Sequence, residues 1–206
     1  MAYKDLVIIN NEKISSELNN FYCDNIDIKT IPEDLNKNFN INLIARKSKV
    51  KRTLQINIDN NKIKTSSNIL LFILSLFKTF KKKQVNYLII SITPYTFCSY
   101  LLLLLFKKKV FLYLRSNGYE EYKEIFGYIG PAIYYVMFKI VTFKSSIIVC
   151  QERLFTKRKV NIVFPSELNS LWFENIKKPL MDKPRLLYVG RMKVEKGIFS
   201  LLKIFE

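Results

Sequence analysis

The sequence contains no histidine and only three cysteines, Cys23, Cys98 and Cys150, with no CxxC pair among them. A Cys/His zinc site is thereby excluded. The odd, widely spaced thiols read as reduced and buried in a cytosolic protein. Glycine is almost as scarce, with 5 in 206 residues and none before Gly118. The opening stretch MAYKDLVIINNEK has too short an apolar run for a signal peptide and carries Asp5 where a leader would be basic.

Acidic residues are nearly missing from one long region. Residues 46–109 hold 14 basic residues and one acid, Asp59, whereas residues 1–40 hold four lysines and seven acids. The formal net charge of +17 predicts an anionic partner or surface: nucleic acid, anionic lipid or a phosphorylated small molecule. A solvated lysine-rich surface, in a chain also rich in asparagine and isoleucine, is the competing explanation. With 49% hydrophobic and 25% charged residues, the chain has material for a sizeable core.

Apolar runs predict strands at 6–9, 42–45, 54–58, 87–92, 110–114, 146–150, 161–164 and 185–189. Residues 10–20 read as a polar stretch. Ser67 is placed to cap a helix reaching about residue 80. Pro94 opens a helix that ends at the lysines 107–109, Gly130-Pro131 opens another to about 143, and a last helix starts at Gly197. Alternating strands and helices predict an α/β fold, a Rossmann-like parallel sheet flanked by helices. Residues 84–106 are uncharged and long enough to span a bilayer, so a membrane-spanning protein stays open as an alternative. Pro94 and the strand-like first half oppose it. A basic nucleic-acid-binding module is the other alternative, opposed by aromatics that fall in apolar runs and are not interleaved with the cations.

The stretch RLLYVGRMKVEKGIFSLLKIF (185–205) runs from a strand into Gly190 and Arg191, then through Glu195, Lys196 and Gly197 into a helix. Glycines allow close backbone approach, a helix amino-terminus favours negative charge, and Arg191 and Lys196 add cations. A plain βα turn with solvated charges would look the same. The stretch resembles the start of the carboxy-terminal domain in glycosyltransferase family 4, whose members have the GT-B fold. SSIIVCQE (145–152), FPSELNSLWF (164–173) and YLIISITPYTFCSYLLLLL (87–105) resemble further family segments, in order.

The resemblance implies retaining transfer of a sugar from a nucleotide-sugar donor to a surface-polysaccharide or lipid-linked acceptor. Gly190, Arg191, Lys196 and Gly197 would hold the donor phosphates, with no metal, no other cofactor and no nucleic acid. Residues 1–180 would be the acceptor-side domain, and 181–206 the incomplete start of the nucleotide-sugar domain. The chain alone is expected to be inactive. It is expected in the cytoplasm, peripheral on the inner face of an anionic membrane through residues 46–109. The sequence departs from the family in lacking a glycine-rich loop after the first strand, where Asn10 and Asn11 stand. It also lacks the histidine that often ends the 110–114 strand, where Arg115, Ser116 and Asn117 follow. These five are the candidate acceptor-side residues; no catalytic residue is assigned. Arg115 as a plain surface arginine, and Glu120 and Glu121 as first-turn helix carboxylates, are the bland alternatives.

Overall fold

The computed structural model describes residues 4–18, 20–51, 53–58, 62–81, 84–156, 160–163, 174, 188 and 198–205. The chain divides into two compact units, Met1–Pro165 and Ser166–Glu206. The first contains β1 (Lys4–Glu17), β2 (Asn20–Cys23), α1 (Asp27–Asn36), β3 (Phe39–Lys47), β4 (Ile56–Ile58), β5 (Ile63–Ser66), α2 (Ile69–Phe77), β6 (Val85–Ile90), α3 (Pro94–Leu105), β7 (Val110–Leu114), α4 (Gly118–Phe126), α5 (Gly130–Lys144), β8 (Ser146–Val149) and β9 (Asn161–Ile162). In the second, the described helix is α6 (Ile198–Phe205). The predicted strand at 185–189 apart from Tyr188, the domain boundary at about 180, and residues 190, 191, 196 and 197, expected to hold phosphate, lie outside the described residues.

The first unit is a Rossmann-like α/β sheet. Its parallel strands run in the order β5–β3–β1–β6–β7–β8–β9. Counted along the chain, the sheet grows outward from β1 to β5, returns to the other side of β1 at β6, and grows outward again. That is the doubly wound arrangement, whose reversal point here falls between β1 and β6. Parallel strands covered on both faces need continuous apolar runs, and β6 and β7 supply them. One core holds Val7, Ile9, Tyr87, Ile89 and Leu112 beneath α2, α3 and α5; the other holds Leu6, Ile8, Leu43, Leu88 and Ile90 with α1. Tyr87 is fully buried, and its hydroxyl shares a hydrogen bond with Thr79 Oγ1 at 3.1 Å, so its polar tip is satisfied.

Three expectations need correction. The polar stretch at 10–20 is not a loop: β1 shifts register between Ile9 and Lys13, stays paired with β3, and then takes β2 antiparallel at Ser15–Glu17. Backbone pairing satisfies the polar segment that side-chain pattern would leave as loop. The cap of α2 is Asn68, not Ser67; its Oδ1 accepts from the Leu71 N–H at 2.9 Å. That helix ends at Phe77, and a 3₁₀ turn, Lys78–Lys81, replaces its predicted last turn. Residues 84–106 divide, as expected, into the sheet strand β6 and the 12-residue α3, whose start is fixed by a Thr93–Thr96 capping box around Pro94, and do not form the single helix of the membrane-spanning alternative. At 1.5 Å per residue α3 is roughly 18 Å long, well short of a bilayer core.

The helical stretch Gly118–Lys144 is long and apolar enough to cross a membrane by length and composition. It is not straight. The chain turns at Gly127, with φ 62° and ψ −142°, and α4 folds back on α5. A Cβ on Gly130 would stand 1.9 Å from the Tyr122 carbonyl oxygen, so only glycine permits this approach. Gly130→Ala is therefore expected to cost about 2–3 kcal/mol, an overpacking penalty against unyielding backbone. Gly127→Ala, which meets nothing within 4 Å, should cost about 1–2 kcal/mol from backbone strain alone. Urea denaturation of both variants checks the order; equal losses would mean that the hairpin is not tightly packed.

Candidate functional site

Ligands of doubly wound sheets bind outside the carboxyl ends of the strands, near the point where strand order reverses. In this chain that edge is built by Asn10 on β1, Ser91 after β6, Arg115 to Asn117 after β7, and Cys150 after β8. Asn10 lies opposite Ile90 in the β1–β6 register and is buried. Ser91 takes φ 61°, a left-handed conformation unusual for serine. Its N–H donates to Tyr113 O at 2.9 Å, and its own carbonyl accepts from Thr96 Oγ1 at 2.9 Å. These bonds hold the strain at the reversal point and turn the chain directly into α3.

A chain of polar contacts crosses this edge. The Glu12 N–H donates to Asn10 Oδ1 at 3.0 Å, Asn25 Nδ2 donates to Glu12 Oε1 at 3.2 Å, and the Asp27 N–H donates to Asn25 Oδ1 at 3.1 Å. Asp27, in the first turn of α1, then forms an ion pair with the Arg115 guanidinium. The structure thus brings Asn10 and Arg115 into one network. Arg115 is engaged with protein and is not a free surface cation. Its carbonyl accepts from Cys150 Sγ at 3.0 Å, tying β7 to β8. Asn11 Oδ1 is buried and has no partner among the described residues. Arg46, at the carboxyl end of β3, stacks 4.5 Å from the Tyr95 ring centroid.

Ser116 and Asn117 belong to a separate feature, a cavity of about 350 Å³ beside the start of α4. Both are exposed and line it with Glu120, Tyr119, Tyr134 and Arg153. Asn117 caps α4: its Oδ1 accepts from the Tyr119 N–H at 3.2 Å, and its Nδ2 donates to Glu120 Oε1 at 2.7 Å. Glu120 is thus both a first-turn carboxylate and a cavity wall. Hydroxyl, amide, carboxylate and guanidinium groups meet here over aromatic rings, with Tyr119 and Tyr134 edge to face at 4.8 Å. Burial pushes the Tyr122 phenol up to about 12, with Glu121 adding to it. The Tyr134 phenol is raised by burial first, then by Tyr119, Glu121 and Tyr122. Among the described residues, no group of three His, Cys, Asp or Glu side chains is placed to hold a metal ion.

Sequence reasoning did not single out Glu12, Asn25, Asp27, Tyr134 or Arg153. Asp27 and Arg115 are far apart in the chain, and only the fold pairs them. The fold and edge define a Rossmann-like α/β domain with a polar carboxyl edge. No protein-family model, curated protein or solved structure matches the chain.

Two outcomes are expected. A double-mutant cycle on Arg115→Ala and Asp27→Ala should give a coupling of about 1 kcal/mol, since both side chains are half-buried or less exposed; additivity would mean that the pair contributes nothing. For the tyrosines, the unfolded phenol ionises near 10 while the folded one does not, so the folded state holds more protons between about 10 and 12. Stability should fall with rising pH in that window, by at most about 1.4 kcal/mol per pH unit for each group. Tyr122→Phe should weaken that fall at about pH 11 and change little at about pH 8, as read by urea denaturation.

Proposed function

We propose that the chain is the acceptor-side domain, with the start of the donor-side domain, of a retaining sugar-nucleotide transferase. The observation that supports this best is the cavity at the carboxyl end of β7. A polyhydroxylated ligand needs several convergent donors and acceptors over an apolar floor. Ser116, Asn117, Glu120 and Arg153 supply the first, and Tyr119 and Tyr134 the second. The carboxylate of Glu120 at the α4 amino-terminus makes the cavity better suited to hydroxyl groups than to a phosphate. The polar chain from Asn10 to Arg115 stiffens the rim beside it.

In the reaction, the bond from the anomeric carbon to the diphosphate oxygen breaks and a bond to an acceptor hydroxyl oxygen forms. The bonding pair leaves with the nucleoside diphosphate, whose freed oxygen takes up the acceptor's proton. Arg191 and Lys196 would stabilise the charge developing on that leaving group, Arg191 through a two-pronged donor fork. Their assignment rests on the sequence of 185–205 and its resemblance to glycosyltransferase family 4.

The test is binding by the 206-residue chain. Uridine and guanosine diphosphates serve as donor-side probes and a panel of disaccharides as acceptor-side probes. Arg191→Ala should weaken nucleoside diphosphate binding by roughly tenfold to a hundredfold, the loss of charge-assisted hydrogen bonds. Lys196→Ala should move stability by no more than about 0.5 kcal/mol. Glu120→Gln and Arg153→Ala should weaken saccharide binding alone. Tight nucleoside diphosphate binding that ignores Arg191 and Lys196 would overturn the phosphate assignment. Saccharide binding that ignores Glu120 and Arg153 would overturn the cavity.

A further inference from the structure

The helices α2, α3 and α5 cover one face of the sheet, and the outer side of that layer is apolar where a surface helix is ordinarily polar. On α2, Leu70, Leu74 and Phe77 succeed one another at helical spacing and are exposed, Leu70 to 73%. Leu101, Leu105 and Phe106 continue the surface from α3, with Leu105 exposed to 74%. The Phe77 and Phe106 rings lie 5.6 Å apart and join the two stretches. On α5, Ile133, Val136 and Phe143 are exposed along one side. Single exposed leucines are ordinary, but a contiguous set on neighbouring helices marks an interaction surface.

Within the stretches that form α2, α3 and α5 and the turns after them, charge has one sign. No aspartate or glutamate occurs between Asp59 and Glu120, nor between Glu124 and Glu152. Lys78 and Lys81 follow α2, Lys107, Lys108 and Lys109 follow α3, and Lys144 ends α5. All six stand at the amino edge of the sheet, opposite the candidate site. Lys107 and Lys108 line two cavities there, of about 450 and 220 Å³, one shared with Lys4 and the other with Lys144. Among the described residues none of the six has an acidic partner. Helix carboxyl-termini explain why cations are tolerated there. They do not explain leucine and phenylalanine in water beside them.

We propose that this layer docks on an anionic lipid surface, its exposed leucines and phenylalanines entering the headgroup boundary and its amino-edge lysines pairing with lipid phosphates. The exposed side chains of α2, α3 and α5 are mostly apolar, with cations and no acid, which is the composition of an interfacial element. A second copy of the chain would set lysines against lysines, and like charges oppose that association. The basic region at 46–109 divides between two ends of the sheet. Arg46 is stacked on Tyr95 at the carboxyl edge, and Lys51 pairs with Glu17 at 3.5 Å, so the docking charge is that of the amino-edge lysines and α5.

Sedimentation with phosphatidylcholine vesicles, with and without phosphatidylglycerol, at low and high salt tests this. The unaltered chain should bind the anionic vesicles and be weakened by salt. Replacing Lys107, Lys108 and Lys109 together by glutamine should lower the partition coefficient roughly a hundredfold, at about 1 kcal/mol per lysine. Leu74→Ser with Leu105→Ser should lower it roughly tenfold or more at either salt concentration. Thermal melting, unchanged in both, separates docking from folding. Equal binding to neutral vesicles, binding unaffected by either set, or absence of binding to any vesicle overturns the proposal. So does self-association that the leucine variants abolish while lipid binding is absent, which would make the layer an interface between copies.

Discussion

Five residues of β1, Asp5 to Ile9, are paired on both sides, with β3 and with β6, and the apolar side chains among them are divided between two cores. Both edges and both faces of this one strand are therefore taken. In many doubly wound domains the chain leaves such a strand by a glycine turn into a helix. Here Asn10 and Asn11 stand at that place, and their side chains keep the backbone from approaching a ligand as closely as glycine would allow. The strand shifts register instead and continues as a ribbon that picks up β2, which in turn picks up β4. The consequence reaches the edge: the Asn10 to Asp27 contacts exist because β1 runs on past it and α1 begins beside it.

That consequence limits what the edge can bind. A glycine loop leaves its amide groups open to a phosphate. Asn10, Glu12, Asn25, Asp27 and Arg115 have closed polar groups on one another, whereas Ser116, Asn117 and Glu120, just beyond Arg115, line a cavity. The candidate site therefore lies where α4 and α5 fold back and leave that cavity. Gly130 and Gly118, both in tight contact with the opposing helix, make that fold-back sterically possible.

The central strands were legible because burial on both faces demands unbroken apolar runs, and the 110–114 run matches β7 to the residue. Pro94 and the lysines 107–109 bracketed α3 for equally local reasons. What was illegible had either a contrary local signal or none. α1 carries Pro32 in its interior, which removes a backbone donor and argues against a helix. β4 fell within the run predicted at 54–58, but β2 is only four residues long and is held by pairing that a sequence pattern does not report. Missing α1 meant missing Asp27, and without Asp27 the arginine after β7 looked like a free cation. The cavity was half visible: Ser116 and Asn117 stood out at a strand end, but Tyr134 and Arg153 join it only through the α4–α5 reversal.

Charge distribution follows from the same topology. In a parallel sheet every strand start lies on one edge and every strand end on the other, so a basic stretch that covers a strand start and the preceding helix end is sent to the amino edge. Residues 78–81 and 107–109 are such stretches. Arg46 and Lys47 close a strand and go the opposite way. A single run of positive charge in the sequence thus becomes two separated groups, one beside the candidate site and one remote from it. The remote group shares its edge with the exposed ends of α2 and α3, where no counter-charge is available within the chain's own acid-free stretch. Exposed leucine and phenylalanine are disfavoured in bulk water, and the six lysines beside them disfavour self-association. An apolar surface that also carries negative charge is the environment that relieves both costs at once.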